Sequence, residues 1–250
     1  MPRLIFPVVG PVSYTDDFGQ PRGTGKHEGN DLMAGKRQLA VAVEAGTVGF
    51  WTTSVHAGCM LYLHGESGTM YEYIHLNNDL TAGNDNKGKC VAGTAYAKGL
   101  KDGQHVEAGQ PVGYVGDSGD ANGIASHLHF EVHPREGKAT SPFPFLAKAQ
   151  HLLFAAPPGA EVSVALKGTL LTADGVALGM QVQALRVSTG LRVAKVNRLV
   201  TLSIDPGLAT DGLLLGGPVR VTTSRAPVSL EQALGADGAL VAKIVAPLAS

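Results

Sequence analysis

The sequence predicts a mainly β chain in two parts: a larger β domain over 1–154 and a small all-β, barrel-like domain over 160–250, joined by a linker at 155–159. Three observations carry that reading. Apolar runs of strand length recur between Gly, Asn and Asp clusters, the pattern of short strands joined by turns. Glycine is frequent, at 33 of 250 residues, and charged residues are few, at 16% against a usual ~25%; that mix favours strands and turns over long charged helices. The stretch Ala155-Ala-Pro-Pro-Gly159 marks the boundary, because no His, Cys, Phe, Tyr or Trp occurs from 155 to 250.

In the first part the strand signals are Leu39–Val43, Cys59–Leu63, Tyr71–Leu76, Pro111–Val115 and His127–Val132. A near repeat, Val43-Glu-Ala-Gly-Thr-Val-Gly-Phe50 and Val106-Glu-Ala-Gly-Gln-Pro-Val-Gly-Tyr114, points to two related β-units folded together. The Gly-, Asn- and Lys-rich stretch 81–103 is expected to form a surface loop beside the site. Cys59 and Cys90 form no Cys-x-x-Cys unit, and two buried thiols or one disulfide both remain open. In the second part about five strand-like runs follow, among them Val162–Leu166 and Arg192–Val196, with one short helix candidate behind Ser229; a small closed or partly open barrel accommodates them. Lacking aromatic residues, this part has no platform on which sugars could stack.

A net charge of −1 leaves no broad positive field, so nucleic acid and anionic membrane are not expected partners. No apolar stretch approaches the ~18 residues of a membrane helix. Residues 1–12 lack a basic start, and Pro7 and Pro11 interrupt the apolar run, so an export signal is expected to have been removed.

Three segments hold four of the nine histidines: His27-Glu-Gly-Asn-Asp31, His75 within Tyr71–Leu76, and Ser126-His-Leu-His-Phe-Glu-Val132. In the last, strand alternation puts His127, His129 and Glu131 on one face and Leu128, Phe130 and Val132 on the other. His27 and Asp31 are four apart, but Gly25, Gly29 and Asn30 oppose a helix there. In an extended segment the even spacing still keeps both on one face, and a neighbouring Gly lets the backbone approach an ion closely. Two imidazoles and one carboxylate make a three-ligand set with the fourth position open, as catalytic zinc requires. His75 taken alone reads first as a core histidine satisfied by a neighbour. His56, His64, His105, His133 and His151 sit in no such motif and read for the most part as surface or turn residues, and Glu28 lacks the second His of a His-Glu-x-x-His helix.

From roughly Asp17 to His133 the motifs and their order resemble peptidase family M23, the lysostaphin and LytM type of zinc metallopeptidase. The blocks are His27-Glu-Gly-Asn-Asp-Leu32, Tyr73-Ile-His-Leu76, Gly109-Gln-Pro-Val-Gly-Tyr-Val-Gly116 and His127-Leu-His-Phe-Glu-Val132. The resemblance implies an antiparallel β-sheet domain with the metal in a groove on one sheet. It implies one Zn2+ bound by His27, Asp31 and His129, with His75 and His127 as the catalytic pair. It further implies an endopeptidase acting on peptide bonds in peptidoglycan cross-bridges or stem peptides, in an extracellular, periplasmic or wall-associated setting. The alternative is a non-catalytic scaffold that binds wall peptides or activates another hydrolase.

Overall fold

The computed structural model describes residues 3–23, 25–189 and 194–248. The chain divides into two units, Met1–His151 and Leu152–Ser250, each with its own apolar core.

The first unit is built on a seven-stranded antiparallel sheet. Its long strands are β1 (Asn30–Ala34), β3 (Gly46–Ser54), β4 (Gly58–Gly65), β5 (Thr69–Leu76) and β7 (His127–Pro134). Two-residue strands, Val12–Ser13 and His105–Val106, close the edges, giving the order Val12–Ser13, β1, β7, β5, β4, β3, His105–Val106. A separate two-stranded sheet pairs β2 (Leu39–Val41) with β6 (Pro111–Tyr114). The two copies of the near repeat lie side by side: Gly46 pairs with Val106, and Ala42 exchanges hydrogen bonds with Gly109 and Gln110 at 2.8 and 2.9 Å.

Alternation decides which face is buried. Leu61, Leu63, Tyr71, Tyr73, Leu128, Phe130 and Val132 all point into the core and are fully buried. The other face is open and carries Asp31, His129, Glu131 and Glu72. The pattern breaks at the end of β5. Continued alternation after Tyr71 and Tyr73 would send His75 into the core, but His75 takes a left-handed backbone conformation, φ 61°, beside a register shift between β4 and β5. That turn puts Leu76 into the core in its place and swings the imidazole outward. A non-Gly residue held there costs on the order of 1 kcal/mol or more, and such outliers cluster at functional sites.

The stretch 81–103 is only in part the surface loop its composition predicts. Its first half is exposed, whereas Ala95, Tyr96, Ala97 and Leu100 are buried. Tyr96 stacks on Phe50 at 3.7 Å and donates its hydroxyl to the Met60 carbonyl at 3.0 Å, so one aromatic anchor overrides the polar composition around it. Cys59 on β4 and Cys90 form a disulfide, which settles the two readings left open for them and ties this segment to the sheet. Lys36, between Asp79 and Asp117 at 2.6 and 3.1 Å, makes a second tie.

In the second unit five strands, β8 (Val164–Ala173), β9 (Ala177–Val187), β10 (Ala194–Ile204), β11 (Pro218–Thr223) and β12 (Val241–Pro247), close into a barrel in the order β8, β9, β10, β12, β11. The run read as Arg192–Val196 falls partly outside the described residues, since 190–193 are not among them. The helix expected behind Ser229 spans Leu230–Leu234, and Ser229 and Gln232 cap it reciprocally. Among the described residues no helix is long and apolar enough to cross a membrane.

Candidate metal centre

The register of two strands sets the first pair of the site. β1 and β7 are antiparallel with Asp31 directly opposite His129 and Leu32 opposite Leu128, so one pair faces outward and the next pair fills the core. His129 Nδ1 lies 2.9 Å from Asp31 Oδ1. His27 reaches the same point from the segment before β1, its Nε2 at 3.0 Å from Asp31 Oδ1 and 2.9 Å from His129 Nδ1. Gly29 makes this approach possible: a Cβ there would stand 2.5 Å from the Phe130 carbonyl oxygen and 2.7 Å from His129 Nε2.

Each ligand candidate is oriented from behind. His27 donates Nδ1–H to the Asp17 carbonyl at 3.0 Å, and Asn30 holds Asp17 in turn through its carboxylate at 2.6 Å. His129 donates Nε2–H to Glu131 Oε1 at 2.8 Å. Arg22 donates to Asp31 Oδ2 at 2.8 Å, leaving Oδ1 for the centre. Three donor atoms therefore converge within 3.0 Å of one another, and their outer partners fix the tautomers. The donor chemistry and this oriented outer shell fit a zinc ion with three protein ligands.

The electrostatics agree with a place built for positive charge. Burial alone would raise Asp31, but hydrogen bonds from His129 and His27, with their charge, hold it far below the usual carboxylate range. Burial would lower His129, yet Asp31 and Glu131 push it up to about 9. A cation held at this centre would take the place of that proton, so its binding would release protons.

His75 and His127 stand beside the triad with ring centroids 5.1 Å apart. Each spends Nδ1–H on a backbone carbonyl, Ser118 for His75 and Ala125 for His127, both at 2.9 Å. In each ring Nε2 is therefore the free nitrogen; that of His127 lies 3.8 Å from Asp31 Oδ1 and that of His75 lies 3.7 Å from Asp120 Oδ1. Burial first, and then the neighbouring His127 and His129, depress His75 to about 4, so it is neutral at pH 7.

All five residues singled out in the sequence come together. The sequence reading missed the supports Asp17, Arg22, Ser118 and Asp120, for which no local pattern gives a signal. It also gave no role to His133, grouped with histidines read for the most part as surface or turn residues. His133 is partly buried, with Nε2 2.7 Å from Glu131 Oε2, because β7 continues two residues past Val132 and keeps it on the face of His129 and Glu131. Glu28 is exposed, whereas His56, His64 and His105 are exposed and pair with Asp120, Glu136 and Glu66.

Residues 25–142 match the sequence profile of peptidase family M23. This segment is an M23 peptidase domain. An L-Ala-D-Glu endopeptidase of Bacillus subtilis is 28% identical over 151 residues, covering 56% of this chain; the chain spans 41% of that relative's length. A LytM structure from Ruminococcus gnavus is 26% identical with a TM-score of 0.46, over 58% of this chain and 59% of that one. The lysostaphin catalytic domain of Staphylococcus simulans is 24% identical with a TM-score of 0.40, over 54% and 92%. The M23 domain thus falls within the first unit, and the profile does not extend to the barrel.

Proposed function

We propose that the protein is a zinc-dependent endopeptidase that hydrolyses peptide bonds in peptidoglycan cross-bridges or stem peptides, working outside the cytoplasmic membrane. The observation that carries this reading is the convergence of His27 Nε2, Asp31 Oδ1 and His129 Nδ1 within 3.0 Å, with the free Nε2 atoms of His75 and His127 alongside. Membership of the M23 family and the likeness to a Bacillus subtilis endopeptidase support the peptidase class.

Zinc held by His27, Asp31 and His129 would supply Lewis-acid chemistry, acidifying a water and polarising a peptide carbonyl. The chain's own residues do the rest. Arg22 and Glu131 keep Asp31 and His129 aimed, and Asp17 does the same for His27. His75, neutral at pH 7, can take a proton at Nε2; its αL backbone and the Ser118 carbonyl keep that atom facing the site. His127 Nε2, on the Asp31 side, is placed to donate to a developing oxyanion or to the leaving amine once it carries a proton.

The test is digestion of purified peptidoglycan from walls with oligoglycine bridges and from walls with direct cross-links, with and without a zinc chelator, reading fragments by mass spectrometry. Chelator-sensitive peptide cleavage is expected and would name the bond. No release from any wall would turn the reading to a non-catalytic wall-binding protein.

A further inference from the structure

One cluster of metal-ligating side chains lies outside the triad just described. On the open face of the sheet, Glu131 and His133 of β7 and Glu72 of β5 bring their ligand atoms within 4.8 Å of one another. Glu131 and Glu72 stand directly opposite each other in the antiparallel register, a position where like charges destabilise a sheet. Their ion-pair partners among the described residues are His129 and His133, with no Lys or Arg. His133 Nδ1–H is committed to the Gly137 carbonyl at 2.9 Å, so when the ring is neutral its lone pair is at Nε2. That nitrogen lies 2.7 Å from Glu131 Oε2 and 3.5 Å from Glu72 Oε1. The side chains are 9–15% exposed, closed enough to exclude most solvent yet reachable from the open face.

We propose that Glu72, Glu131 and His133 form a second divalent-cation site, for a first-row transition ion such as Zn2+ or Mn2+, sharing Glu131 with the hydrogen bond that orients His129. Two carboxylates and one imidazole suit such an ion, and a backbone carbonyl fixes the tautomer as at the first centre. Glu131 is the hinge between the two: Oε1 accepts from His129 and Oε2 faces the second site. The His129 ring and the Glu131 carboxylate separate the two positions, so the second ion is not a partner in a bridged two-metal reaction, whose ions lie ~3.5–4 Å apart. Its effect on the first centre runs through Glu131. A cation on Oε2 draws charge from Oε1 and weakens the acceptor behind His129.

The test is metal loading of the untagged, metal-stripped 250-residue protein with Zn2+ or Co2+, followed by dialysis, elemental analysis, and a check of folding by circular dichroism. The wild type is expected to hold two equivalents. Glu72→Gln, which keeps size and shape, and His133→Ala should each hold one, with the lost equivalent bound at least tenfold more weakly. His129→Ala should keep the equivalent that His133→Ala loses. A wild type saturating at one equivalent that disappears in His129→Ala would overturn this proposal and leave the peptidase reading standing. A second equivalent persisting in both Glu72→Gln and His133→Ala would assign it to exposed histidines such as His64 or His105 and would also overturn it. One equivalent lost in His133→Ala and kept in His129→Ala would support the second site and count against the first.

Discussion

At His129 both ring nitrogens are committed, Nδ1 towards Asp31 and His27 and Nε2 to Glu131, whereas His75 and His127 each keep one nitrogen free. Substitutions should therefore separate. His129→Ala is expected to lose zinc and activity together, while His75→Ala and His127→Ala keep about one equivalent of zinc and lose at least a hundredfold in turnover, the usual weight of a proton-transfer residue. Turnover retained in all three would sink the site. Gly29→Ala should weaken zinc at least tenfold, ~1.4 kcal/mol, because the added Cβ meets the Phe130 carbonyl and the His129 ring; competition with a chromophoric chelator measures it. His75 adds a pH dependence. Its folded pKa of about 4 lies below its ordinary 6.5, so between those values the unfolded chain binds the extra proton. Stability of the metal-free protein should fall as pH drops through that window, by on the order of 3 kcal/mol more in the wild type than in His75→Gln. Equal losses by denaturant unfolding at pH 7 and pH 4 would refute it.

Among the elements, the segment between β5 and β6 is held at two fixed points, the Cys59–Cys90 bond and Lys36. Lys36 bridges Asp79 and Asp117, whose side chains are 0% and 3% exposed, and Asp117 precedes the Ser118 whose carbonyl holds His75. Removing one partner of a buried pair leaves a charge uncompensated, which costs ~3–5 kcal/mol. Lys36→Met should destabilise by that amount in urea and should lower turnover more than it lowers zinc affinity, since it acts through His75 and not the triad. An unchanged midpoint would show that water compensates both aspartates.

For the whole molecule, each unit encloses its own core, and the M23 residues lie in only one of them. Calorimetry should therefore resolve two transitions. Stripping zinc should lower only the one belonging to the M23 unit, since a ligand present at 1,000 times its dissociation constant stabilises the folded form by ~4 kcal/mol. A single transition that moves as a whole on chelation would contradict two separate cooperative units.

The sequence by itself determined the β character, the alternation of β7 and the identity of the five residues that meet, because strand period and motif order are local properties that survive in one dimension. Motif order alone singled out His75, since its own segment read first as burying it and strict alternation would have done so with Tyr71 and Tyr73; only a positive φ, stabilised by the surrounding sheet, turns it outward. The fate of Cys59 and Cys90, the burial of Tyr96 inside a polar stretch, and the gathering of Arg22, Asp17 and Ser118 behind the site were likewise decided by tertiary structure. So was the position of His133, set by the length of β7 and by the partner that β5 places across from it. These are contacts between residues distant along the chain, and no local pattern specifies which distant group will fill the space beside a given side chain.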